Sequence, residues 1–292
     1  MGMTGNFLQL MRLRQWVKNA FVFLPLFFNG SFFDWKLLLI STVAFFAFCL
    51  ASSAVYCVND VMDAEEDRLH PVKRFRPVAS GRISANGALS LAAVSFVCSL
   101  FLSGFLLSLE CMGVVILYVL MNIAYTFRIK RLAIVDMFVI AFGFVLRLWI
   151  DGLACDIELS PWIVSTTFIL MLFLAVAKRY DDVRLREDGI DVKRRSTANY
   201  TPEFLRQILG LLAAVTFVCY LLYTLSADVE ERHGGRYLYT TSIFVLFGIL
   251  RYLQITIVKN ESGDPTEVVL KDKYIVGTLA CWVILFTFLL YV

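Results

Sequence analysis

The stretch "LLLISTVAFFAFCLASSAVYCV", Leu37–Val58, runs without a break into "NDVMDAEEDRLHP", Asn59–Pro71. The first part is long and apolar enough to cross a bilayer as one helix, which takes about 20 residues. The second collects Asn59, Asp60, Asp63, Glu65, Glu66 and Asp67 where the apolar run stops. On a helix turning about 100° per residue, Asp63 lies about 60° and Asp67 about 20° from Asp60. Asn59 is about 100° away on the same side, while Glu65 points elsewhere. Four oxygen-bearing side chains therefore share one face, and Pro71 ends the helix. The following "VKRFRPVASGRIS" supplies Lys73, Arg74, Arg76 and Arg82 within reach of that face. Carboxylates and an amide beside a basic cluster suit a Mg²⁺ ion bridging a diphosphate held by Lys and Arg. Taken alone, an acidic run at a helix end is more often a solvated terminus with i,i+4 ion pairs. The spacing and the adjoining cations favour the metal–diphosphate reading.

The rest of the chain fits a polytopic membrane protein. Of 292 residues, 59% are hydrophobic and only 17% charged, outside the range of ordinary soluble domains. The net charge of +3 gives no reason to expect nucleic acid as a partner. Seven scattered cysteines without a CxxC pair, and two histidines, argue against a disulfide framework and a thiolate zinc site. Besides 37–58, apolar runs occupy about 86–109, 111–127, 133–154, 159–177, 204–226, 237–258 and 274–292. A ninth, shorter run, about Val17–Phe33, is broken by Pro25 and follows the basic "MRLRQWVKN". It lacks a small-residue cleavage site and is expected to be an uncleaved first helix.

Sorting positive charge by loop orients these helices. The N-terminus and the loops near 59–84, 127–132, 178–203 and 259–273 hold 21 of the 27 Lys and Arg residues, whereas the intervening loops hold three. By the positive-inside rule the N-terminus and all the long charged loops are cytoplasmic. The expectation is one all-α domain, 1–292, of nine transmembrane helices in the plasma (inner) membrane. Arg147 and Arg251 fall inside predicted helices, where a cation is expected to face a cavity or a carboxylate.

The segment "NDVMDAEEDRLHPVKRFRPVASG" resembles the first aspartate-rich motif, NDxxDxxxD followed by KxRP and Gly, of the UbiA superfamily of intramembrane prenyltransferases. That resemblance implies nine helices around a central cavity opening to lipid, with the aspartate motifs at its cytoplasmic mouth. Most members carry a second DxxxD motif after the sixth helix. The corresponding "KRYDDVRLREDGIDVKRRSTANYTPEFLRQ" has Asp181, Asp182, Asp188 and Asp191 but no pair four apart, and opens with Lys178, Arg179 and Tyr180. Together with "RLRQWVKNAFVFLPLFF", "YTFRIKRLAIVD" and "SGDPTEVVLKDK", this is similar to the decaprenyl-phosphate phosphoribosyltransferase branch. The resemblance implies a Mg²⁺-dependent pentosyltransferase acting on phosphoribosyl diphosphate (PRPP) as donor and a polyprenyl phosphate as acceptor.

On that reading Asn59, Asp60, Asp63 and Asp67 are the metal ligands, and Asp60, Asp63, Lys73 and Arg74 act on the departing diphosphate. Gln15, Lys18, Asn19, Arg76, Tyr125, Lys130, Lys178, Arg179 and Tyr180 are expected to bind substrate, and Asp136 completes a YxxxxK…D pattern with Tyr125 and Lys130. Lys18, the 128–131 cluster and Lys178 also have plain readings as positive-inside or snorkelling residues. His70 and His233 read as loop residues. An aromatic prenyltransferase using a prenyl diphosphate and a membrane transporter remain the alternatives. The missing DxxxD counts against the first, and the concentration of charge at one face against the second. The bilayer is a partner in every case, and a homo-oligomer is compatible with the sequence.

Overall fold

The computed structural model describes residues 3–69, 72–187, 197, 199–226, 229, 237–259, 263 and 265–291. The expectations placed on His70, Pro71, Asp188, Asp191 and His233 lie outside the described residues. Every regular element described is helical. Among the described residues, eight helices are long and apolar enough to cross a membrane: Trp35–Met62, Ala85–Leu107, Leu109–Phe127, Val135–Cys155, Pro161–Glu187, Pro202–Thr224, Leu238–Lys259 and Lys273–Tyr291. The periodicity-free apolar runs of the sequence thus mark integral, multi-pass helices with ends displaced by only a few residues in most cases. Several starts have a visible cause, because Asp34, Ser84, Ser108 and Thr201 each accept a backbone N–H of the first turn that follows.

The chain forms two compact units, Met1–Ile129 with Leu146–Glu158, and Lys130–Val145 with Leu159–Val292. The first is built on α3 (Trp35–Met62), preceded by α1 (Met3–Leu10), a 3-10 helix (Leu13–Phe23) and α2 (Leu24–Phe28). α3 presents the buried small residues Ala44, Ala47, Ala51, Ser52, Ser53 and Ala54. Small side chains let neighbouring backbones approach and expose hydroxyls as hydrogen-bond partners inside lipid. α5 (Ala85–Phe101) uses this through Ser99 Oγ, which donates to the Ala47 carbonyl at 2.6 Å.

The first apolar run departs from expectation, since it is not one α-helix over 17–33 but a 3-10 helix followed by the five-residue α2. Its packing supplies the reason. Trp16 Nε1 donates to Ser53 Oγ (3.0 Å), and Asn19 Nδ2 donates to Ser52 Oγ and Cys49 Sγ (both 3.2 Å). These polar anchors on α3 fix the winding, and Pro25 at the start of α2 cannot donate to a preceding turn. The segment nevertheless runs alongside α3 between its two ends. Arg12, at its start, meets Asp60 at one end of α3, whereas Leu26 donates its N–H to Asp151, whose neighbour Cys155 contacts Ser41 near the other end of α3. A 3-10 helix rises about 2.0 Å per residue, so Leu13–Phe28 spans roughly 30 Å, the thickness of the hydrocarbon core. Among the described residues eight helices thus qualify as spans, and this more tightly wound segment is long enough to accompany them as a ninth.

In the second unit α8 (Pro161–Glu187) packs along α9 (Pro202–Thr224). Tyr220 of α9 shares a hydrogen bond with Thr241 Oγ1 and accepts one from Trp282 Nε1, each at 2.7 Å. One buried phenol thereby joins three membrane helices. α8 also corrects an expectation, because the apolar run ends near 177 but the helix continues ten residues further. Ala177, Tyr180 and Val183 remain buried on its inner side, so packing extends the helix through a charged sequence.

Candidate active site

In the first unit the site grows from the end of α3. The 28-residue α3 is about 42 Å long, more than the hydrocarbon core requires, so its last turns reach the polar boundary. At Asp63 (φ −94°, ψ 4°) α3 gives way to the short α4 (Ala64–Arg68). The i→i−4 ladder still continues, with Asp63 N to the Asn59 carbonyl at 2.9 Å and Asp67 N to the Asp63 carbonyl at 2.8 Å. The kink is slight enough for Asp60 and Asp67, seven residues apart, to stay on one side. They are 2% and 4% exposed, while Glu65 is exposed, as the helical spacing predicts.

One guanidinium joins the two carboxylates: Arg76 Nη1 lies 3.5 Å from Asp60 Oδ1 and 2.6 Å from Asp67 Oδ2. Arg12 adds a second cation on Asp60, and its guanidinium also covers the Tyr56 ring at 4.8 Å. Arg12 has positive φ (53°), a conformation that non-glycine residues seldom adopt. That turn separates α1 from the 3-10 helix and aims the side chain at Asp60. Asn59 Oδ1 accepts from Thr126 Oγ1 of α6 (Leu109–Phe127), which fixes the amide at the same end of the helix. Arg12 and Thr126 are the participants that the sequence reading missed. Arg12 is one of several basic residues in "MRLRQWVKN", and nothing in their spacing separates it from Arg14.

Other expected residues are distributed differently. Lys73 and Arg74 lie exposed on the 3-10 turn Lys73–Phe75, and Arg74 covers the Phe75 ring at 4.8 Å. Arg76 reaches the carboxylates of Asp60 and Asp67, because the chain turns extended at Arg76 (φ −64°, ψ 147°) and sends that side chain back towards α4. Gln15 and Lys18 are half-buried on the 3-10 helix, and Asn19 is buried. Asn19 Oδ1 accepts from Arg147 Nε at 2.9 Å, and the Arg147 guanidinium lies against both the Phe48 and Tyr118 rings, 5.0 and 5.1 Å from their centroids. Tyr125 sits near the end of α6.

The second unit holds its own charged cluster. Arg179 of α8 is 1% exposed, with Nε 3.0 Å from Asp136 Oδ2 and Nη1 2.9 Å from Asp182 Oδ2. Expected as a phosphate ligand, it is instead enclosed by two carboxylates, one of them on α7 (Val135–Cys155). Tyr180 is 2% exposed, and its hydroxyl accepts from Arg206 Nη2 of α9 at 3.5 Å. Tyr200 accepts from the Ile134 N–H, where the chain takes a positive φ (67°) just before α7. Lys178 is half-buried on α8, and Lys130 lies in the 3-10 turn Ile129–Arg131. Arg251, placed in the sequence inside an apolar helix, pairs with Asp272 at 2.7 Å. Among the described residues, no three His, Cys, Asp or Glu side chains form a ready metal cluster.

The first-unit site still suits a divalent cation by its chemistry. Asp60 and Asp67 direct hard oxygen donors at one shared cation position, with the Asn59 amide and Asp63 at the same helix end. Oxygen donors of this kind are what Mg²⁺ takes, completing its shell with water and phosphate oxygens.

An all-helical, multi-pass membrane protein with carboxylates and arginines gathered at the end of a central span is the class that these observations define. The chain belongs to the UbiA prenyltransferase family, whose signature matches residues 20–271. It is 34% identical to the decaprenyl-phosphate phosphoribosyltransferase of Mycolicibacterium smegmatis over 96% of this chain and 91% of that protein. The enzyme of the same name from Mycobacterium tuberculosis is 32% identical, with coverages of 96% and 93%. In fold, a UbiA homologue from Archaeoglobus fulgidus bound to DMAPP and Mg²⁺ superposes with a TM-score of 0.73 at 15% identity, over 98% of this chain and 99% of that one.

Proposed function

We propose that this protein transfers the 5-phosphoribosyl group of PRPP to a polyprenyl phosphate, with Mg²⁺ as cofactor, at the cytoplasmic face of the plasma membrane. The observation that carries the reading is the enclosure of Arg179 by Asp136 and Asp182. At the place where a second carboxylate motif would serve a prenyl diphosphate, Asp182 is paired with an internal arginine, and Lys178 and Arg206 add positive charge. Such a site favours an additional anionic group on the donor, which PRPP has in its 5-phosphate. The similarity to phosphoribosyltransferases along nearly the whole chain supports the same donor.

Asp60 and Asp67, with Asn59 and Asp63, would hold the metal. When bound, Mg²⁺ would offset the charge that builds on the departing diphosphate. Arg12 and Arg76 are placed to hold Asp60 and Asp67 in register and to offer guanidinium forks to the same diphosphate. An oxygen of the acceptor phosphate forms a bond to the anomeric carbon as the bond to the diphosphate oxygen breaks and its electron pair leaves with the diphosphate. The acceptor is already anionic, so no general base is needed. The ribosyl centre becomes oxocarbenium-like, and a single displacement inverts it, giving a β-linked product. Gln15, Lys18 and Tyr125 complete the proposed substrate contacts of the first unit. The test is an assay of purified protein in nanodiscs with labelled PRPP and decaprenyl phosphate. Lipid-linked phosphoribose is the expected product. Prenylation of 4-hydroxybenzoate from a prenyl diphosphate, with PRPP untouched, would overturn the assignment.

A further inference from the structure

The connection from Asp63 to Ser84 joins two membrane helices, so both its ends lie at one bilayer surface. It is pinned at several points. Arg68 Nε donates to the Ala79 carbonyl at 3.3 Å, and Arg76 pairs with Asp67. Arg82 donates to Ser80 Oγ (2.9 Å), to Asn6 Oδ1 of α1 (3.0 Å) and to the Phe75 carbonyl. Within this frame the apolar residues are sorted. Ala64, Val78, Ala79 and Ile83 are buried, whereas the larger Leu69, Val72 and Phe75 are 75%, 72% and 61% exposed. Lys73 and Arg74 are exposed between them, and Arg74 lies over the Phe75 ring. The Arg82 bond to Asn6 brings α1 to the same support, and its Leu8 is also exposed.

We propose that Leu69, Val72 and Phe75, with Lys73 and Arg74, seat in the anionic phospholipid headgroup layer of the bilayer that the protein spans. Three things select this occupant. α3 ends at Met62, only seven residues before Leu69, so the headgroup layer is the nearest apolar phase. Large apolar side chains interleaved with cations are the composition that enters the boundary between headgroups and acyl chains. The two exposed cations complement anionic lipid phosphates, and each strengthens attachment to such a surface by roughly fivefold. A consequence, which rests on the reading proposed above, is that Arg76 and the carboxylates it joins lie close to the depth of lipid phosphates. The acceptor's phosphate can then reach the site without leaving the interface. The seating itself requires no substrate and stands apart from that reading.

A nitroxide at Phe75→Cys tests the proposal. Only Cys98 and Cys281 of the native thiols are exposed, so replacing these two by Ala leaves a background in which the buried five need not be altered. The full chain is placed in nanodiscs of phosphatidylcholine, or of phosphatidylcholine with roughly a third phosphatidylglycerol. Continuous-wave EPR then compares collisions with oxygen, which concentrates in lipid, against a water-soluble nickel chelate. The label is expected to favour oxygen, more strongly in the anionic discs. Lys73→Gln with Arg74→Gln should lower the seated population in anionic discs by roughly 25-fold, fivefold for each cation, with little change in phosphatidylcholine. Inorganic phosphate should leave the label where it is, which separates a lipid surface from a site for free phosphate. A label as open to the nickel chelate as one at the exposed Glu65→Cys, in both kinds of disc, would overturn the proposal and point to an aqueous partner instead.

Discussion

Asp60 combines near-complete burial with two guanidinium partners, and that pairing makes the site both stable and responsive to substitution. Asp60→Asn keeps the shape and removes the charge. Turnover is expected to fall by at least about 10²-fold, the scale of losing one preorganised contact to the transition state, with the fold intact by circular dichroism. Glu65→Gln, on the exposed side, should stay near the parent rate. Arg76→Ala has a different signature. It leaves Asp67 and Asp60 buried and short of a cation, a change that costs about 3–5 kcal/mol for a buried pair. Thermal unfolding in detergent should therefore show a clear loss for Arg76→Ala and little for Arg74→Ala, whose side chain is exposed. The carboxylates were legible as a site because helical spacing fixes which residues share a face. Their partners were not, because Arg12 and Arg76 reach Asp60 from 48 and 16 positions away, and neither distance follows a repeat.

At the scale of elements, α8 and the start of the last helix carry the more informative predictions. α8 was expected to end near residue 177, where charge begins, but Arg179 is buried between Asp136 and Asp182 and the helix runs on to Glu187. Charge in a sequence signals water only when no partner waits in the fold. Arg179→Met should destabilise the protein by about 3 kcal/mol or more, since Asp136 is left buried without its arginine, and adding Asp136→Leu should restore much of that loss. Equal instability of the single and double variants would contradict an ion-pair role. Asp272 lies outside the membrane helices and both caps the last helix and binds Arg251. The hydrogen bond from Arg251 holds its carboxyl below the usual carboxylate value. A lowered value means that the pair's contribution is complete above about pH 4 and is lost as the pH falls through the folded-state value. Asp272→Asn keeps the cap but removes the charge. Its melting temperature should be below the parent's at pH 7, and the gap should close in acid.

Across the whole molecule, five spans separate Ser84 from Glu231. Cysteines introduced at these two positions are expected to react with an impermeant maleimide from opposite faces, and labelling from one face would refute the span count. A cysteine at Gln9 should label with Ser84→Cys, because Arg12 meets Asp60 at the end of α3 from which the chain leads to Ser84.

The sequence by itself determined the membrane class, the positions of eight long helices, the separation of charged and uncharged loops, and the carboxylate face at the end of α3. Each of these follows from a local rule, either the free energy of an apolar run in lipid or the angular period of a helix. The tertiary structure alone decided that the first crossing is a 3-10 helix, because Asn19 and Trp16 are held by hydroxyls and a thiol on α3 some thirty or more residues away. It alone decided that Arg76 and Arg12 hold the acidic pair, and that Arg179 belongs to two carboxylates. An ion pair between distant residues is selected by which charges folding brings within a few ångströms and away from water, and no local pattern records that choice.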